Sequence, residues 1–126
     1  ERAGVRSGNI FALEATRAAY EEGDAWLDAL LSYLDGSRRV LRELVAAHLP
    51  KAVLSPMEGT YLAWLDCRAY APTTAELMAK AHKVGVTFTG GDFFGQGGDG
   101  FLRVNIGCPR RYVEEGILRL AVALEC

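Results

Sequence analysis

The chain contains 126 residues, a length that is typical of a single domain. Its 14 Lys and Arg residues and 16 Asp and Glu residues give a net charge of −2, which argues against the strongly basic surface of a nucleic-acid-binding domain. No apolar run approaches the ~20 residues that a membrane-spanning helix needs, so we expect no contact with a membrane. Three widely spaced cysteines predict free thiols and a cytoplasmic protein. Two histidines set apart from them do not predict a zinc site.

The first part of the chain is predicted to form two helices. Residues 1–8 are polar and predict a frayed end, whereas Asn9 is a suitable N-cap for a short helix that ends at Gly23. From 24 to 49, apolar residues recur at the spacing of one helical face, which predicts a long amphipathic helix. We expect this helix to bend or break at Gly36, because glycine costs about 1 kcal/mol against alanine in a helix.

The second part alternates between strands and helices. Strands are predicted at 52–55, 60–67, 86–89 and 101–106. Segment 60–67 is apolar on both of its alternating faces, which is typical of a central strand. Thr73 and Glu76 form a capping-box pattern that opens a helix, and Pro109 suits the first turn of a last helix. The order of elements favours an α+β fold: a two-layer domain with short strands in a sheet and helices on one face.

Residues 95–100 match the GxGxxG pattern of dinucleotide-binding loops. In that motif the last glycine lets a helix N-terminus approach the pyrophosphate. Here the predicted strand 101–106 follows instead, so the segment lacks the structural context that gives the pattern its meaning. We interpret it as a flexible glycine-rich loop without a cofactor role.

Arg103 is the most informative single residue. Alternation along strand 101–106 places it with Phe101 and Asn105 on the face opposite to three aliphatic residues. A guanidinium group in that position can bind a carboxylate through two parallel hydrogen bonds. It can also pair with an acidic side chain on a solvent-facing surface, and the pattern alone slightly favours this second interpretation.

The other reactive side chains give weaker signals. Cys108 lies at a predicted helix start but has no histidine nearby in sequence, so we interpret it as an unreactive thiol. Lys51, Lys80 and Lys83 follow or flank helices, a context that does not predict a Schiff-base lysine. The residues therefore predict no catalytic, cofactor-binding or metal-binding group within this chain.

Three segments are similar to stretches of known enzymes: NIFALEATRAAY at 9–20, EGTYLAWLD at 58–66 and FLRVNIGCPR at 101–110. They resemble the cystathionine β-lyase / C–S lyase branch of the fold-type I pyridoxal 5'-phosphate (PLP) enzymes, in the aminotransferase class I/II superfamily. The resemblance covers nearly the whole chain. It implies that 1–126 is the C-terminal small domain of a longer enzyme, with 24–49 as a long connecting helix and 50–126 as an α/β sandwich. The large cofactor-binding domain would be absent.

The same resemblance implies a function and a site. A parent enzyme of this branch would bind PLP in its large domain, form a homodimer, serve methionine biosynthesis, and cleave L-cystathionine or related cysteine S-conjugates to a thiol, pyruvate and ammonia. Arg103 matches the family's arginine that holds the substrate α-carboxylate, with Asn105 as support. Gly90, Gly91 and Phe93 match the segment that lines the substrate entrance. The family's Schiff-base lysine precedes the region of resemblance, so the fragment alone is expected to be inactive.

Three other functions fit the sequence. An aminotransferase shares the fold and the carboxylate-binding arginine but passes the amino group to a keto acid. A regulatory protein could use an aminotransferase-like domain to sense an amino acid or a cofactor. The chain could also be a complete small α+β binding module, although a strand that is apolar on both faces argues against it.

Overall fold

The computed structural model describes residues 9–125, without the side chain of Glu125. The predicted frayed end at 1–8 and the thiol of Cys126 lie outside the described residues. The elements are, in chain order, α1 (Ile10–Glu22), α2 (Asp24–His48), β1 (Val53–Leu54), β2 (Leu62–Asp66), α3 (Thr74–Lys83), β3 (Thr89–Gly90), a 3₁₀ helix (Gly91–Phe94), β4 (Phe101–Asn105) and α4 (Arg110–Glu125). None of the helices in this described range combines the length and the apolarity that crossing a membrane requires.

Both N-terminal helices begin where the sequence predicts. Asn9 caps α1, since its Oδ1 accepts a hydrogen bond of 2.9 Å from the backbone N–H of Phe11. Gly23 separates α1 from α2, as expected for a helix stop. Helix α2 then ends one residue before the predicted position, well within the usual uncertainty of a helix end.

Helix α2 continues through Gly36, so the break expected there is wrong. Gly36 is buried, and a Cβ atom at this position would collide with the guanidinium group of Arg110, at the start of α4. The glycine therefore makes room for an arginine side chain. The helix continues because the hydrogen bonds of the flanking turns outweigh the low helix propensity of this one glycine.

The chain divides into two compact units, one ending at Tyr33 and the other beginning at Leu34. The first unit contains α1, in which no residue is buried. Phe11, Tyr20 and Trp26 of this unit are exposed over 84%, 85% and 69% of their surfaces. Within α2, burial begins at Leu34.

The second unit contains an antiparallel sheet with the strand order β1-β2-β4-β3. Strands β2 and β4 are therefore central, as predicted for segment 60–67. In the register of these two strands, Trp64 lies opposite Arg103. Strand β3 places Thr89 opposite Arg103 on the other side. The arginine is thus held near the middle of the sheet, between two neighbouring strands.

One face of the sheet forms the core together with the helices. Ala63, Leu65, Leu102 and Val104 are buried on this face. They belong to one cluster with helical side chains, which include Leu41, Val45, Leu77, Ala81, Val113, Ile117, Leu120 and Leu124. This arrangement confirms the predicted α+β fold with helices on one face of a short sheet. The alternate residues of β2 and β4, Arg103 among them, are half-buried or exposed on the other face.

Local hydrogen bonds set both ends of helix α3. Thr73 Oγ1 accepts a hydrogen bond of 3.3 Å from the N–H three residues along, as the capping-box pattern predicts. At the other end, the N–H of Val86 donates to the carbonyl oxygen of Ala81 at 3.1 Å. Because Val86 closes the helix, the strand predicted at 86–89 is wrong in its bounds and pairs only at Thr89–Gly90.

Neither Cys67 nor Cys108 forms a disulfide, as predicted. Cys67 directly follows β2 and is fully buried. Burial and, to a lesser extent, the negative charge of the adjoining Asp66 raise the pKa of the Cys67 thiol to about 12. This thiol therefore stays protonated, and unreactive as a nucleophile, at neutral pH.

Candidate functional site

The candidate site is centred on Arg103, in the middle of β4 on the open face of the sheet. Its Nη2 donates a hydrogen bond of 3.1 Å to Thr89 Oγ1 on the adjacent strand. Its Cζ atom lies 5.0 Å from the ring centroid of Phe94, at the end of the 3₁₀ helix, within the range of a cation–π contact. Neighbours from two other segments thus fix a half-buried guanidinium group.

Arg103 has no carboxylate partner among the residues that the structure describes. Five other arginines in that range have acidic partners: Arg17, Arg38, Arg39, Arg68 and Arg119. The interpretation of Arg103 as one half of a surface ion pair therefore does not hold within the described range. The bond to Thr89 uses one N–H of the guanidinium group and leaves its other donors for a ligand. Such donors can form a bidentate pair with a carboxylate.

Three rings lie beside Arg103 on the same open face; we call Phe94, Trp64 and Phe101 the aromatic row. Phe94 meets Trp64 edge-on, with ring centroids 5.5 Å apart and planes at 78°. Trp64 stacks on Phe101 with centroids 5.6 Å apart and planes at 19°. Both geometries are favourable for aromatic pairs. The row starts at Phe94, next to Arg103, and runs across two central strands.

Arg68 closes the far end of the aromatic row. Its Cζ lies 4.7 Å from the ring centroid of Phe101. Its Nε and Nη2 donate hydrogen bonds of 3.0 and 2.6 Å to the two carboxylate oxygens of Asp66. These bonds from Arg68 lower the pKa of Asp66. Gly100 has a φ of +80°, and a Cβ atom there would collide with the Arg68 stem, so this packing requires glycine.

The predicted entrance residues lie in and before the 3₁₀ helix next to β4. Gly91 is buried, and a Cβ atom there would collide with the carbonyl oxygen of Gly98. Gly90 precedes the 3₁₀ helix as its N-cap. Phe93 is exposed over 81% of its surface and contacts Phe94 edge-on at 5.2 Å. Phe94, and not Phe93, is thus the ring beside the guanidinium group of Arg103, which the sequence pattern does not reveal.

Asn105 lies two residues beyond Arg103 on the same face and is exposed. Its Oδ1 accepts a hydrogen bond of 2.8 Å from the N–H of Gly107, which holds the turn after β4. The amide oxygen of Asn105 thus stabilises this turn. Its predicted role as support for a bound carboxylate remains a prediction.

The glycine-rich loop is tied to helix α3 where it enters β4. Asp99 Oδ1 accepts a hydrogen bond of 2.6 Å from the N–H of Thr74, and Thr74 Oγ1 accepts one of 2.9 Å from the N–H of Gly100. Hydrogen bonds to the Asp99 carboxylate, chiefly the one from the Thr74 backbone N–H, lower the pKa of Asp99. Strand β4 follows at Phe101, as predicted, and no helix opens there. Among the described residues, no group of three or more His, Cys, Asp or Glu is arranged to bind a metal ion.

Comparison with known proteins gives a consistent result. No protein-family model matches the chain. The chain is 36% identical over 125 residues to the cystathionine β-lyase PatB of Bacillus subtilis. The matched region covers 98% of this chain and 32% of PatB. The chain is also 36% identical over 124 residues to protein MalY of Escherichia coli K12, with the same two shares. The chain thus spans about a third of the length of the curated relatives it matches.

Solved structures agree with these sequence matches. The PLP-bound C–S lyase from Staphylococcus hominis superposes with a TM-score of 0.87 at 32% identity, over 98% of this chain and 33% of that structure. An aromatic aminotransferase from Pyrococcus horikoshii OT3, at 18% identity and a TM-score of 0.78, shares the fold. Over about a third of their length, the chain is thus similar in sequence to the cystathionine β-lyase PatB and in structure to a PLP-bound C–S lyase.

Proposed function

We propose that the chain is the C-terminal small domain of a longer PLP-dependent C–S lyase. The parent would cleave L-cystathionine or related cysteine S-conjugates to a thiol, pyruvate and ammonia. The task of this chain would be to bind the substrate's α-carboxylate through Arg103. The likeness to PatB and to a PLP-bound C–S lyase supports the class of reaction.

One observation carries the role of Arg103. Its guanidinium group is half-buried on the open sheet face, held by Thr89 and Phe94, and has no acidic partner among the described side chains. An arginine fixed in place without a counter-charge is suited to an anionic ligand. The carboxylate of a bound amino acid would pair with the Arg103 guanidinium group, and this pairing would hold the Cα–H bond of the amino acid in one orientation. Positioning of this kind is worth several kcal/mol of a reaction barrier.

The described lysines do not fit the attachment of PLP. Lys51 Nζ lies 5.7 Å from the ring centroid of Tyr70, and Lys80 Nζ pairs with Glu76 at 3.5 Å on α3. Among the described residues, neither of these lysines, nor Lys83 at the end of α3, forms a hydrogen bond, an ion pair or a cation–π contact with Arg103 or the aromatic row. We therefore propose that another part of the parent holds PLP and that this chain contributes position and charge.

Further parts of the parent are proposed as the partners of this chain. The exposed side chains of α1, Phe11 and Tyr20 among them, form apolar surface of the kind that another domain or subunit covers. The matched relatives are about three times as long as this chain, which leaves room for such a domain. A homodimeric parent in the cytoplasm is the remaining part of the proposal, and it is supported by resemblance alone.

The decisive experiment uses the full-length parent loaded with PLP. We expect pyruvate release from L-cystathionine, and we expect Arg103→Ala to lower kcat/KM about 10²- to 10³-fold, mainly through KM, because a desolvated charge pair loses one partner. Arg68→Ala is the matched control, since it removes a guanidinium group from the same sheet face that is already paired with Asp66. An Arg103→Ala enzyme with unchanged KM would overturn the assignment.

The same assay separates the lyase from an aminotransferase. A lyase releases pyruvate without an added keto acid, whereas an aminotransferase needs the keto acid and transfers the amino group to it. Transfer without pyruvate release would change the reaction and keep the role of Arg103. The 126-residue chain alone, supplied with PLP, should release no pyruvate.

A further inference from the structure

The aromatic row is the feature of the described surface that the proposed function does not yet use. Its first ring, Phe94, touches Arg103, and its second, Trp64, is the cross-strand neighbour of Arg103. Phe94 is exposed over 49% of its surface, and Trp64 and Phe101 are half-buried. The three rings thus form an accessible apolar strip that starts at the guanidinium group.

The dimensions of a cysteine S-conjugate match this arrangement. Its sulfur is three bonds from the carboxylate carbon, a distance of about 4 Å in an extended chain. The ring centroid of Phe94 lies 5.0 Å from the Cζ atom of Arg103, and the centroid of Trp64 lies 5.5 Å from that of Phe94. With the carboxylate on Arg103, the sulfur comes within reach of these two rings.

We infer that the aromatic row is a subsite for the group attached to the substrate's sulfur and that it favours aromatic and other apolar groups. This inference rests on the proposed function, since it presumes that Arg103 holds the α-carboxylate. Thioether sulfur makes favourable contacts with ring edges, and an aromatic substituent adds ring–ring contacts with Trp64 and Phe101. Arg68 adds no free charge at the far end because Asp66 already pairs with it.

The test compares two substrates in the full-length, PLP-loaded parent: S-benzyl-L-cysteine and S-methyl-L-cysteine. Pyruvate release gives kcat/KM for each, and the ratio of the two values measures the preference for the larger apolar group. We expect Phe94→Leu and Trp64→Leu each to lower this ratio about tenfold, the usual scale for lost contacts in an apolar pocket. Trp64→Phe should restore most of it.

Tyr112→Leu is the matched control. Tyr112 on α4 is exposed over 52% of its surface, close to the 49% of Phe94. The Cζ atom of Arg111 lies 4.8 Å from its ring centroid, which resembles the 5.0 Å between Arg103 and Phe94. This variant should leave both values unchanged.

Arg103→Ala separates the two hypotheses. It should lower kcat/KM for both substrates by the same factor and leave the ratio unchanged. Suppose that Arg103→Ala lowers both values equally but that Phe94→Leu and Trp64→Leu leave the ratio unchanged. The subsite is then refuted, because another part of the parent covers the row, and the proposed function stands. If Arg103→Ala changes neither value, or the parent releases no pyruvate, the proposed function fails and the subsite with it.

Discussion

The two ends of helix α2 carry the same kind of apolar side chain in very different surroundings. Leu27 and Leu31, in the first unit, are exposed over 46% and 53% of their surfaces, whereas Leu41 and Val45, in the second, are exposed over 0% and 4%. A periodic apolar stripe therefore predicts a helix in both places. It does not predict whether this chain supplies the partner that covers the stripe.

The two units also differ in what stabilises their helices. In α1, Arg17 pairs with Glu14 at 2.7 Å and with Glu21 at 3.7 Å, and Thr16 bonds back to the carbonyl oxygen of Ala12 at 2.8 Å. Exposed pairs of this kind contribute only about 0.3–0.5 kcal/mol each. In the second unit, burial in the shared core supplies the larger contribution, since a fully buried leucine gains about 1.5–3 kcal/mol.

The largest expected effect tests this contrast within one helix. Leu41→Ala should lower the free energy of unfolding by about 2–5 kcal/mol, because it leaves a cavity in the core. Leu31→Ala makes the same chemical change at an exposed position and should cost no more than about 0.5 kcal/mol. Urea unfolding of the chain followed by circular dichroism measures both. Equal losses would mean that Leu31 is covered by a second copy in solution.

A smaller effect tests whether the backbone of the second unit leaves room for an added Cβ atom. Gly91→Ala should destabilise the chain by about 1–3 kcal/mol, because a Cβ atom there meets the backbone of Gly98. Gly116→Ala should instead stabilise it by up to about 1 kcal/mol, because Gly116 lies in α4 with open space where its Cβ would be. Thermal unfolding of the two variants gives opposite shifts in Tm if this packing is correct. A stabilised Gly91→Ala variant would contradict this prediction, because it would mean that the backbone at Gly98 shifts without cost.

The smallest effect concerns acid. Asp66 and Asp99, both in the second unit, have pKa values lowered below the ordinary 3.8 by their hydrogen bonds. A carboxyl group whose pKa is lower when folded contributes stability above its unfolded pKa, and that contribution is lost as the pH falls through the folded value. Stability should therefore decline below about pH 4. Asp99→Asn should flatten this decline in unfolding midpoints measured from pH 5 to 2; an unchanged slope would assign the decline to other carboxyl groups.

Helix positions and fold class could be predicted because their signals are local. The Asn9 cap, the periodic stripe of α2 and the Thr73 cap all depend on residues a few positions apart. Strand ends could not be predicted in the same way. Strand β2 begins later than expected because Thr60 adopts a left-handed φ of 60°, which the sequence pattern of 60–67 does not reveal for a β-branched residue.

The candidate site was only half predictable for a related reason. Alternation along β4 is enough to place Arg103 on the face away from the core. Its neighbours Thr89, Phe94 and Trp64 come from three separate segments, and only the strand order and register bring them together. Choosing between a surface ion pair and a ligand site required the positions of every nearby acid, which no short-range pattern contains.

The buried thiol of Cys67 gives the second unit an intrinsic reporter of its own fluctuations. A thiol reagent reacts with an accessible thiolate. In the folded state the sulfur of Cys67 is buried and its raised pKa keeps it protonated. Alkylation of Cys67 can therefore proceed only through molecules whose core has transiently opened. Its rate at neutral pH, followed by mass spectrometry, would read out the frequency of that opening without any introduced label.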